Sequence, residues 1–179
     1  MREEFIFAGF GGQGIMLMGK LLAYAGMKEN RHVTWLPSYG AEVRGGTAHS
    51  MVVIADQPIS SPIVKTPSIC VVMNSPSFDR FEGKIKREGL LVINRSLVDN
   101  IVARKDIETV ELNATDIATE LGNKRVANMI ILGAMLAKKD FLRIGSLVDS
   151  LKNIISKKHS DMIAINELAL RKGYEYGSR

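Results

Sequence analysis

The sequence predicts an α/β fold: an open, mainly parallel, Rossmann-like sheet with helices on both faces and a helical C-terminal region. Three observations carry this expectation. Short apolar runs of strand length alternate with Leu-, Met- and Ala-rich segments through the first two thirds of the chain. Two of those runs, 69–73 and 90–93, are apolar without alternation, as in strands buried on both faces. Beyond Asn113 the pattern is helical throughout.

Taken in order, residues 4–9 form a β-rich run ending in glycine and are read as the first strand. Residues 13–29 lack proline and are rich in good helix formers, so they are read as a helix. Its first turns, Ile15 to Met18, are apolar nearly all round, which implies burial on more than one side. A second strand over 32–36 is expected to stop at Pro37, and 38–46 is read as a glycine-punctuated loop. Residues 47–55 read as a strand, and three prolines at 58, 62 and 67 make the next stretch irregular. After the buried strand 69–73, Ser75 is expected to cap a helix whose first residue is Pro76 and which runs to about residue 86. Strands follow at 90–93 and, more weakly, at 107–112. Helices are expected over 115–121, 125–138, 144–157 and 160–172. The whole is expected to be one domain over 1–179, with the sheet in 1–113 and a helical tail in 114–179.

Composition narrows the function classes. The chain has 179 residues, 46% hydrophobic and 24% charged, an ordinary globular balance. It has one cysteine, Cys70, inside the apolar run 69–73. One thiol forms no internal disulfide and ligates no iron–sulfur cluster, so any redox metal served by the protein is expected on other chains. The longest uncharged apolar run, 126–137, is too short to span a membrane. The acidic N-terminus does not read as a signal peptide. A cytoplasmic protein is expected. Net charge is +5, and the excess lies in the last third: residues 1–121 carry 13 basic and 14 acidic side chains, residues 122–179 carry 11 and 5. Solvated lysine faces account for most such excesses, and no aromatic-interleaved basic stretch points to single-stranded nucleic acid.

Two segments point to a binding crevice. Gly9, Gly11 and Gly14 fit G-x-G-x-x-G between a strand and a helix. Glycines there admit close approach to backbone N–H groups, and the helix dipole favours an anion. A dinucleotide site also needs an acidic residue after the second strand, yet 35–38 reads Trp-Leu-Pro-Ser, so NAD(P) is disfavoured. Tight packing of the first helix is the competing explanation for these glycines. The second segment, 38–47, follows the second strand and is expected to face the same crevice. It offers Ser38, Tyr39, Glu42 and Arg44, and Arg44 suits a phosphate or carboxylate. A Glu42–Arg44 pair that only orders the loop is the alternative. Gly11, Gly12, Gln13, Gly14, Ser38, Tyr39, Glu42 and Arg44 are therefore the candidate cofactor-binding residues. No metal-ligating spacing and no nucleophile–base pairing is evident; His32, His49 and His159 are scattered.

The runs G-F-G-G-Q-G (9–14), S-Y-G-A-E-V-R-G (38–45) and M-N-S-P-S (73–77) resemble the gamma subunit of 2-oxoacid:ferredoxin oxidoreductases. Residues 90–94 and the 125–136 helix with Asn128 and Gly133 fit as well. Val43, Gly46 and Thr47 depart from the pyruvate branch and look more like the 2-oxoglutarate or branched-chain type. The resemblance implies a subunit that is non-catalytic alone. Its complex oxidatively decarboxylates a 2-oxoacid, 2-oxoglutarate being favoured, to an acyl-coenzyme A and reduces ferredoxin. Thiamine diphosphate, magnesium and iron–sulfur clusters would reside on alpha, beta and delta partners. This chain would cover the thiamine site and help accommodate coenzyme A, binding no cofactor by itself. A free-standing Rossmann-like nucleotide-binding protein and a purely structural interaction module are the rival readings.

Overall fold

The computed structural model describes residues 1–39, 47–155 and 159–179. Within them a six-stranded sheet has the order β2-β3-β1-β4-β5-β6. The strands are β1 (Arg2–Phe10), β2 (His32–Ser38), β3 (Thr47–Ala55), β4 (Ile69–Val72), β5 (Leu90–Asn94) and β6 (Glu108–Leu112). β1, β4, β5 and β6 pair in parallel. β3 runs against both of its neighbours, β1 and β2, so a single reversed strand sits in an otherwise co-directional sheet. The helices are α1 (Ile15–Lys28), α2 (Ser75–Phe81), α3 (Ala114–Glu120), α4 (Ala127–Lys138), α5 (Ile144–Ile154) and α6 (Asp161–Gly177).

The period-two alternation of β1 sorts the core into two layers. Phe5 and Phe7 point into the larger layer, with Met18, Leu21 and Leu22 of α1 and most of α4. Ile6 and Ala8 point into the smaller one, with Phe78 and Phe81 of α2. Helices therefore lie on both faces of the sheet. Every residue from Ala127 to Leu136 is buried, which makes α4 the central helix of the large layer. Its far side meets α6 along a glycine seam. A Cβ at Gly133 would collide with the carbonyl oxygen of Leu170, one at Gly173 with that of Ile130, and one at Gly177 with that of Ala134. The two backbones touch there without side chains between them.

Several local expectations are corrected. Pro37 does not stop β2, which runs through it to Ser38; β2 borders one strand only, and an edge strand tolerates a missing N–H. Asn74, not Ser75, caps α2: its Oδ1 accepts from the Ser77 N–H at 2.8 Å, and Ser75 and Pro76 are the first helical residues. Asn74 is anchored at the end of β4 and 2% exposed, so it reaches the helix start first. α2 closes at Phe81 and tightens into a 3-10 turn, Glu82–Lys84. α4 is likewise preceded by a 3-10 turn, Lys124–Val126. α6 runs a turn further than expected, and residues 156 and 157 of the expected fifth helix lie outside the described ones. Cys70 is fully buried, and that burial pushes its thiol far above the ordinary range.

The small layer also holds His49, 7% exposed, with its ring 5.3 Å from that of Phe81. Burial first, then the nearby charges of Arg80 and Lys84, hold its pKa below the ordinary value. Below about pH 6.5 the unfolded chain therefore takes up this proton more readily than the folded one. Stability is kept above that pH and declines as pH falls through the lowered folded value. Calorimetry between pH 7 and 5 is expected to show a shallower fall in melting temperature for His49→Gln than for the wild type. Equal slopes would contradict it.

Candidate functional site

β1 leads into α1 on one face of the sheet, and its parallel neighbour β4 leads into α2 on the other. Connections diverging from adjacent parallel strands open a crevice at their carboxyl ends, where ligands of α/β sheets bind. The turn between β1 and α1, Gly9 to Gly14, forms one wall of it.

The glycines of this turn do different jobs. At Gly9 a Cβ would lie 2.6 Å from Gln13 Oε1 and 2.9 Å from the Met73 Cβ; at Gly14 it would overlap the Asn128 side chain. Those two are packing glycines, and Gly14 also has a positive φ of 75°. Gly11 and Gly12 have nothing within 4 Å of a Cβ position, and Gly12 has φ 92°. Their backbone is open to a ligand. No side chain caps α1, so the N–H groups of its first turn remain for solvent or an anion.

Gln13 buckles the turn to the sheet. Its Oε1 accepts from the Phe10 N–H at 2.6 Å, and its Nε2 donates to the Met73 carbonyl at 3.1 Å. Asn128 Nδ2 donates to the Gly14 carbonyl at 3.4 Å, tying α4 to the same turn. Asn94, at the end of β5, donates to Thr115 Oγ1 at 2.9 Å and so fixes the start of α3 beside the crevice.

Three hollows meet at Gly12. One of about 310 Å³ is lined by Gly12, Gln13, Thr115, Lys124, Arg125 and Asn128. The next, about 420 Å³, continues past Gly14 and Arg125 to His159, Met162 and Asn166. The third, about 350 Å³, lies between Gly11, Gly12, Leu17 and Tyr39. Tyr39 is 73% exposed. The glycine turn and the start of the second segment thus share one edge of the sheet. Ser38 is the last residue of β2, half-buried, and lines none of the three. Glu42 and Arg44 lie outside the described residues.

The cations that reach this crevice, Lys124 and Arg125, were not singled out as site residues from the sequence. They come from a 3-10 turn more than a hundred residues beyond Gly12, held by Asn123, whose Oδ1 accepts from the Arg125 N–H at 3.1 Å. No local motif marks them; only the likeness of the 125–136 helix to the gamma-subunit pattern pointed to that region.

Residues 4–176 match the family described as "Pyruvate ferredoxin/flavodoxin oxidoreductase". The chain belongs to that family. Within it, the chain is 34% identical over 178 residues to the 2-oxoglutarate synthase subunit KorC of Methanocaldococcus jannaschii, covering 98% of this chain and 94% of the relative. It is 41% identical over 130 residues to the ketoisovalerate oxidoreductase subunit VorA of Methanothermobacter marburgensis, covering 73% of this chain and 27% of that subunit. The chain therefore spans about a quarter of VorA's length and nearly all of KorC's. The crystal structure of the keto/oxoacid ferredoxin oxidoreductase gamma subunit from Geobacter sulfurreducens superposes with a TM-score of 0.87, covering 99% of this chain and 97% of that one at 24% identity. That likeness establishes a common fold. These two relatives are named for 2-oxoglutarate and for ketoisovalerate.

Proposed function

We propose that this chain is the gamma subunit of a 2-oxoacid:ferredoxin oxidoreductase, inactive alone, which covers the thiamine site of its complex and helps hold coenzyme A. The observation that carries the reading is the crevice at Gly12. Open backbone at Gly12 meets Lys124 and Arg125 from across the fold, an arrangement suited to the phosphates of the coenzyme A nucleotide. Gln13 and Gly14 hold the crevice in shape. Ser38, Tyr39, Glu42 and Arg44 belong to the second segment, which faces either coenzyme A or the alpha and beta chains. The 2-oxoacid is 2-oxoglutarate on this reading, since the relative matched over nearly its full length is a 2-oxoglutarate synthase subunit.

The redox groups do not fit this chain. An iron–sulfur cluster takes several thiolates, and the lone cysteine is sealed inside β4. Among the described residues no cluster of His, Cys, Asp and Glu has metal-ligand geometry. On the proposal, thiamine diphosphate, magnesium and the clusters are borne by alpha, beta and delta partners, and ferredoxin is reduced there. A free-standing nucleotide-binding protein is less favoured: β2 ends in Leu36, Pro37 and Ser38, with no carboxylate for a ribose.

The test is native co-purification with a tagged copy. Larger, brown, iron-bearing partners and coenzyme A-dependent oxidation of 2-oxoglutarate by the assembly are expected, with no turnover by the isolated chain. Recovery of a colourless lone protein, or turnover without partners, overturns the assignment.

A further inference from the structure

On the opposite face of the sheet from α1 lies a separate hollow of about 370 Å³. Its floor is apolar, formed by Ile6 of β1, Met51 of β3 and Val64 of the proline-rich connection. Its rim is cationic: Lys65, Arg80 and Lys84 all line it, and no carboxylate does among the described residues. Lys65 comes from the proline-rich connection, while Arg80 and Lys84 stand four residues apart on α2 and the 3-10 turn that continues it, so the fold brings one loop cation to two from a single helical segment.

Phe81 gathers them. The Arg80 guanidinium lies 5.1 Å from the centre of its ring, and Lys84 Nζ lies 5.2 Å from the same ring, both within cation–π range. One arm of Arg80 donates to Thr47 Oγ1 at 3.1 Å, which aims the guanidinium along the start of β3. His49 packs against Phe81 from within the sheet. Its Nδ1 is buried and has no hydrogen-bond partner among the described residues. Three cations around an apolar floor, with no carboxylate among the described lining residues, make a positive potential that suits a negatively charged group seated in the hollow.

We propose that this hollow is a second binding site, for a small organic anion whose phosphate or carboxylate is held by Arg80 and Lys84 beside His49 and whose apolar part rests on Met51, Val64 and Phe81. Its size falls in the range of small-molecule pockets. Arginine supplies the planar fork that either anion accepts, and Lys65 closes the outer rim. The lowered pKa of His49 follows from the same geometry, since Arg80 and Lys84 contribute to it. The site is separated from the Gly12 crevice by the sheet and shares no lining residue with it. It does not depend on the coenzyme A assignment.

The experiment is a titration of the full chain, followed by amide and histidine-ring resonances, with two probes: pyrophosphate for the phosphate class and succinate for the carboxylate class. Saturable shifts at His49 and Thr47 are expected with at least one probe, and the tighter one identifies the class. Lys84→Ala and Arg80→Gln are each expected to weaken that binding about tenfold or more, while Arg125→Ala leaves it unchanged. Lys84 is exposed and forms no salt bridge among the described residues, so its variant is expected to fold and the test holds even if Arg80→Gln misfolds. Absence of saturable shifts with both probes overturns the proposal. So does binding that survives the loss of Lys84, or binding abolished by Arg125→Ala, which would place the anion in the crevice. Failure of co-purification would leave these outcomes untouched.

Discussion

Replacing Gly173 by valine is expected to lower the melting temperature by roughly 5–10 °C. At that position the neighbours of a new Cβ are backbone atoms of α4: the Ile130 carbonyl oxygen, with its carbonyl carbon at 2.7 Å and Cα at 2.8 Å. Backbone cannot swing aside as a side chain would, so the two helices must separate. Overpacking of this kind costs about 1–3 kcal/mol, more where repacking is blocked. In a domain of this size each kcal/mol moves the midpoint by about 2–4 °C. Gly145 of α5 is the control, because nothing lies within 4 Å of its Cβ position. Gly145→Ala is expected to be neutral or to stabilise by up to about 1 kcal/mol, through the higher helix propensity of alanine. Thermal unfolding of both variants checks the pair; a Gly173→Val protein melting within 2 °C of wild type, on the order of the error of such a scan, would show that the seam has slack.

The second large effect is kinetic and rests on the proposed crevice. In the assembled oxidoreductase, Arg125→Ala is expected to raise the KM for coenzyme A about ten- to a hundredfold, with kcat much less affected. Loss of one charge-assisted hydrogen bond to a phosphate corresponds to about 1.5–3 kcal/mol, and a nucleotide phosphate remote from the reacting thiol contributes to binding in ground and transition states alike. Gly12→Val is expected to act in the same direction, since its φ of 92° is poorly tolerated by a β-branched residue and the side chain would project into the crevice. Steady-state kinetics with varied coenzyme A decides the matter. An unchanged KM in both variants would leave the crevice without a nucleotide.

Much of this architecture was legible because its signals are local. Continuous apolar runs marked β4 and β5, and the strand–glycine–helix succession marked the turn at Gly12. What stayed hidden depends on long-range geometry. The reversal of β3 leaves no trace in hydrophobic alternation, which is the same for either direction of pairing. Pro37 reads as a strand breaker in sequence because nothing local marks β2 as an edge strand. Asn74 and Ser75 are both good caps, and only the anchoring of Asn74 at the end of β4 separates them. The four glycines of the first turn look alike in sequence, yet two are packed against Met73 and Asn128 and two face open space. Lys124 and Arg125 read as part of a basic tail until the fold carries them back to Gly12.

The sealing of Cys70 has a practical side. Its sulfur projects from β4 into the small core layer beneath Phe78 and Phe81, where no reagent arrives unless that layer opens. As the sole thiol of the chain, it is a native gauge of opening: the rate at which a thiol-specific dye attaches reports how often the cover of that face comes away.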